Sequence, residues 1–141
     1  MPIPMEIQHA SEEFERFLAD ARDFSALTTR NQTYTMVQGV LQVFRRRLSV
    51  EDAIRFAQVL PPVLRAIFVS DWKLDEPRLD FSDCAAMTRE AQSLRRDHNF
   101  APDSCIRDVA MALHKHVDRQ AFSRVIGTLP KGAVEFWRVK L

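Results

Sequence analysis

The chain is 141 residues long, 46% apolar and 28% charged, with 20 basic against 19 acidic residues. That length suits one domain with a substantial core, and a net charge of +1 supplies no overall field to gather nucleic acid or a membrane surface. Three glycines are too few for a turn-rich β fold or for a dinucleotide or phosphate loop.

Residues 1–10, with Pro2 and Pro4, read as an extended lead-in. Ser11 is placed as an N-cap, with Glu12 and Glu13 favourable to the helix dipole. Phe14, Phe17, Leu18, Ala21 and Phe24 then make one apolar stripe. Thr28 to Asn31 offers caps for a second helix, whose stripe is Tyr34, Val37, Leu41, Phe44 and Leu48. Arg45, Arg46 and Arg47 crowd its last turn, where cations suit the dipole and fan outward to solvent. Ser49 caps a third helix facing inward through Ala53, Phe56 and Ala57, which Leu60-Pro61-Pro62 ends. Pro62 suits the opening of a fourth helix presenting Leu64, Ile67 and Phe68. Residues 70–80 form a charged linker with Pro77. The second half follows suit: Cys84, Met87, Ala91 and Leu94 on one helix; Pro102 opening the next, with Ile106, Val109, Ala110, Leu113 and Val117. Asp118 then caps a helix with Phe122, Val125 and Ile126, and Leu129-Pro130 precedes a last one with Ala133, Phe136 and Trp137.

The halves are related by a shift of 69 positions. Of the 33 pairs from Met36/Cys105 to Phe68/Trp137, 25 agree on apolar or not, where about half would agree by chance. Only Val40/Val109, Arg55/Arg124, Leu60/Leu129 and Pro61/Pro130 are identical, so the shared pattern concerns packing and not a repeated ligand signature. The expected fold is all-α, a two-repeat helical bundle of about four helices per repeat packed into one domain over residues 1–141. Repeat one runs over about 11–72 and repeat two over about 80–141, with Leu60 and Leu129 buried at equivalent turns.

Two runs, Val40-Leu41-Gln42-Val43-Phe44-Arg45-Arg46-Arg47-Leu48-Ser49-Val50-Glu51-Asp52-Ala53 and Phe56-Ala57-Gln58-Val59-Leu60-Pro61-Pro62-Val63-Leu64-Arg65, resemble the bacterial family known as domain of unknown function (DUF) 2267. The second copy is degraded, with Gly127-Thr128 where the family pattern has Gln-x before Leu-Pro. The resemblance implies a two-repeat helical fold and no particular activity, cofactor or catalytic residue.

Chemistry is sparse in the sequence. There is no Gly-x-Ser-x-Gly elbow, Cys-x-x-Cys or His-Glu-x-x-His, so neither catalytic nor metal-binding residues nor a cofactor are expected. His114 and His116 would point about 200° apart on one helix and read as solvated helix-end residues. His98 beside Asp97 cannot face it on a helix. Cys84 and Cys105 read as small core residues in a reducing compartment. Lacking both a signal peptide and an apolar run of about 18 residues, the protein is expected to be cytoplasmic, with no membrane partner. Two binding roles remain. Phe68, Trp72 and Trp137 could supply a surface for a protein partner or homo-oligomer. Arg45, Arg46 and Arg47 could instead hold an anion or nucleic acid, the less favoured role because Glu51 and Asp52 follow closely and net charge is low.

Overall fold

The computed structural model describes residues 1–139. Those residues form an all-helical fold with no strand: α1 (Met5–Gln8), α2 (Ala10–Ser25), α3 (Arg30–Arg45), α4 (Val50–Ala57), α5 (Pro62–Val69), α6 (Cys84–Gln92), a 3-10 turn (Arg96–His98), α7 (Cys105–His114), α8 (Arg119–Ile126) and α9 (Ala133–Trp137). None of the helices is long and apolar enough to cross a membrane.

Local chemistry sets most boundaries. Thr29 closes a capping box with Gln32 at the start of α3. Ser49, Asp83 and Asp118 accept from the backbone N–H three residues on, at the starts of α4, α6 and α8. Pro62 occupies the first turn of α5. Three boundaries differ from expectation. The lead-in coils into α1, and α2 begins at Ala10 after His9, which makes no side-chain cap, so Ser11 lies inside the helix. Pro102 precedes α7 by three residues, its carbonyl accepting from Cys105 N–H at 3.0 Å.

The shift of 69 recurs in these boundaries. Residues 36–45 of α3 fall on α7, α4 falls on α8, and the caps Ser49 and Asp118 correspond. Leu60 and Leu129 are both buried, at the α4–α5 and α8–α9 turns. Long-range packing is reciprocal too: α2 lies along α7, and α6, its counterpart under the shift, lies along α3, while α4 meets α8. These relations do not contradict a two-repeat arrangement.

The core centres on aromatic rings. Phe44 on α3 stands 4.7 Å from Phe56, 5.0 Å from Phe136 and 5.2 Å from Trp137 between ring centroids. Phe122 and Phe68 extend the cluster. The α3–α6 crossing is set by Gly39, where a Cβ would stand 2.7 Å from the carbonyl oxygen of Ala91. A backbone neighbour cannot rotate away, so Gly39→Ala must separate the helices. Denaturant unfolding is expected to show a loss of about 1–3 kcal/mol, against the small gain that alanine brings to an unencumbered helix.

Candidate functional site

The arginine run is not a solvated helix end. Arg45 is 2% exposed; its Nη1 donates to the carbonyls of Phe68 at 2.9 Å and Ser70 at 2.8 Å, and its guanidinium lies 5.3 Å from the Trp72 ring centroid. Burial lowers its pKa from the ordinary arginine value, the neighbouring Arg46 charge acting in the same direction. Arg47, also buried, donates to Val43 and Asp80 carbonyls and to Glu90. Arg46 reaches Glu90 at 3.2 Å and Glu76 at 3.9 Å, and its carbonyl accepts from Leu79 N–H. The three side chains therefore clamp the 70–80 linker and α6 onto the end of α3. Arg45, Arg46 and Arg47 do not combine into an exposed cationic patch, and sequence spacing missed this because the partners lie 23 to 44 residues away.

The aromatic candidates are placed just as differently. Phe68 and Trp137 are fully buried in the core, so neither offers a surface, and only Trp72 remains half-exposed, against Arg45. Apolar side chains do reach solvent elsewhere, in a cleft of about 560 Å³ between α7, α8, α9 and the end of α2. Phe24, expected in the core, and Val134 stand exposed at its sides, Met111, Ile126 and Val139 line it, and the buried Trp137 lies beneath. Its charged lining is Arg107, Lys115, Arg119 and Arg138, with His114 and Ser123 also polar and no carboxylate among the described residues. Lys115 pairs with Asp20 and Arg138 with Glu135. Among the described residues Arg107 and Arg119 make no ion pair, although Arg119 Nε donates to the His114 carbonyl. His114 Nε2 lies 2.8 Å from the Trp137 carbonyl oxygen. The Trp137 Nε1 is buried with no hydrogen-bond partner among these residues. The sequence did hold a trace of this site: Met111, Arg119, Ser123 and Val134 are four of the eight pairs where the repeat pattern breaks.

The helix ends between the two histidines, and both are partly buried and held by hydrogen bonds. His116 Nε2 stands 2.6 Å from Asp20 Oδ2, its Nδ1 3.7 Å from Glu13, tying the end of α7 to α2. Burial disfavours the Asp20 carboxylate, but hydrogen bonds from His116 and Lys115 outweigh it and hold the carboxyl below its ordinary value. Glu13 is also lowered, chiefly by its hydrogen bond from Arg16. A carboxyl with a depressed folded pKa stabilises above its unfolded value, near 3.9 for aspartate, and that contribution is lost as pH falls through the folded value. Thermal midpoints should therefore fall as the medium is acidified from about pH 5 downward. Asp20→Asn should cost up to about 1 kcal/mol at neutral pH and flatten that acid limb.

The cysteines divide. Cys105 is buried, its thiol pushed up to about 12 by burial and by Asp108, whereas Cys84 is exposed and not the core residue its position suggested. Among the described residues no three His, Cys, Asp or Glu side chains are grouped to hold a metal.

A family model described as "Uncharacterized conserved protein (DUF2267)" matches residues 14–136. No curated protein matches the chain.

Proposed function

Since the chain belongs to DUF2267, a family of uncharacterised conserved proteins, its role must be argued from its own surface, and we propose that it is a non-catalytic protein-interaction module receiving its partner in the α7–α9 cleft. The observation that carries this reading is the cleft's composition, an apolar floor between helices with a rim of cations. Apolar grooves between helices are a common seat for a partner segment, and about 560 Å³ is ample for an anchoring side chain and its flanks.

Nucleic-acid binding through Arg45, Arg46 and Arg47 is the weaker reading, because two of those side chains are buried on carbonyls. Duplex DNA should bind negligibly at physiological salt; a steep salt dependence abolished by replacing all three arginines would reverse that judgement.

Nile red, a neutral apolar dye, tests the cleft itself. One dye per chain should bind with enhanced fluorescence. Ser123→Trp, which fills the cleft, should abolish the signal, while Ile54→Trp at the equivalent position of the first half should not. Equal effects of the two substitutions would sink the cleft as the binding face.

A further inference from the structure

One place recurs in both halves. Arg45 and His114 lie 69 residues apart, as do Phe68 and Trp137, and each basic side chain engages the corresponding carbonyl. In the first half, residues 70–72 lie against it. Asp71, in the left-handed conformation at φ 54°, turns the chain just before Trp72, and the Trp72 ring lies against the Arg45 guanidinium. A hollow of about 230 Å³ lies beside Arg45 and Trp72, and it shares with the 560 Å³ cleft only the positions Arg45/His114, Arg46/Lys115 and Val50/Arg119. The second half has the shorter His114 in place of Arg45 and Ser123 in place of Ile54, and both line the cleft. It also replaces Gln42 by Met111 and Val50 by Arg119, one adding apolar floor and the other a cation at the rim. The position matching Trp72 is Leu141, which lies outside the described residues.

We propose that the α7–α9 cleft accepts an acidic segment of a partner protein anchored by one aromatic side chain, a segment of the chemistry of residues 70–76, Ser-Asp-Trp-Lys-Leu-Asp-Glu. This rests on the cleft being the interaction face. The aromatic ring enters between Met111, Ile126 and Val134 beside His114, in the way Trp72 covers Arg45. Flanking carboxylates reach Arg107 and Arg119, whose planar forks suit bidentate pairing. A desolvated aromatic anchor ringed by ion pairs is the usual form of an interface hot spot. The chain's own 70–76 segment is not the occupant, because Ser70 and Trp72 are already held by Arg45 in their own half.

The test uses the full chain and a fluorescein-labelled peptide of residues 70–76, read by anisotropy. Saturable binding is expected, weakened at least about tenfold, or 1.4 kcal/mol, when the peptide's tryptophan becomes alanine or its acids become amides. Arg107→Glu with Arg119→Glu should weaken it comparably while leaving the melting temperature and Nile red binding intact. Should that double variant fail to fold, the unaltered protein decides, since its affinity for the acidic peptide must fall with salt and that for the amide peptide must not. His114→Arg, which restores the first half's side chain, should also reduce binding. If the amide peptide binds as tightly as the acidic one, or if no peptide binds to protein that takes up Nile red in the cleft, the proposed chemistry is wrong while the cleft stands. Absence of localised Nile red binding would remove the cleft itself.

Discussion

Phe44→Ala should cost about 3–5 kcal/mol and lower the melting temperature by roughly 10 °C or more. Phe44 is wholly buried, and its ring meets Phe56 of α4, Phe81 of the approach to α6, and Phe136 and Trp137 of α9. Truncation therefore opens a void bordered by both halves of the chain, among aromatic rings that are themselves packed against one another. Near-UV circular dichroism should lose intensity as Trp137 loses its packing partner. A cost below about 1 kcal/mol, measured by denaturant unfolding, would mean that the aromatic cluster does not hold the halves together.

Arg45→Ala should cost about 3 kcal/mol or more, an unusual result for an arginine at a helix end. The substitution leaves the carbonyls of Phe68 and Ser70 without their donor, each worth about 1–3 kcal/mol when stranded in the interior. It also removes the cation beneath Trp72. Relief of the guanidinium's own desolvation offsets part of this. The adjacent Arg46→Ala, on a side chain 29% exposed, should cost no more than about 1 kcal/mol. Equal costs for the two would contradict the clamp described for this run.

What the sequence made legible was local. Thr29, Ser49 and Asp118 cap helices because their own oxygens reach the next turn, and Leu60 and Leu129 are buried because Leu-Pro ends each preceding helix against the core. What it hid depended on partners far along the chain. Arg45 and Arg47 read as solvated cations by periodicity, and only the return of residues 68–80 supplies the carbonyls that bury them. Phe24 sits on the apolar stripe of α2, yet the stripe outruns the helix that covers it and ends over the cleft. Trp137 fell in the opposite sense, its large ring claimed by Phe44, Phe56 and Phe122 and not left as a contact surface. The cleft was written only as disagreements between the halves, which carry meaning once the agreeing positions are known to be core.

The crossing of α2 onto α7 and of α6 onto α3 has a consequence for how the chain folds. Phe17, Leu18 and Ala21 lie on a helix packed against α3 and α5 and also against α7, which begins some eighty residues later, and Met87 and Ala91 lie on a helix packed against one that comes well before it. Neither helix buries its apolar side wholly within its own half. Closing such distant loops is entropically costly and slows folding relative to bundles built from neighbours in sequence. Once closed, the halves are interlocked, so a nick within residues 70–80 should leave two pieces that are each unstable apart and that regain helicity together on mixing.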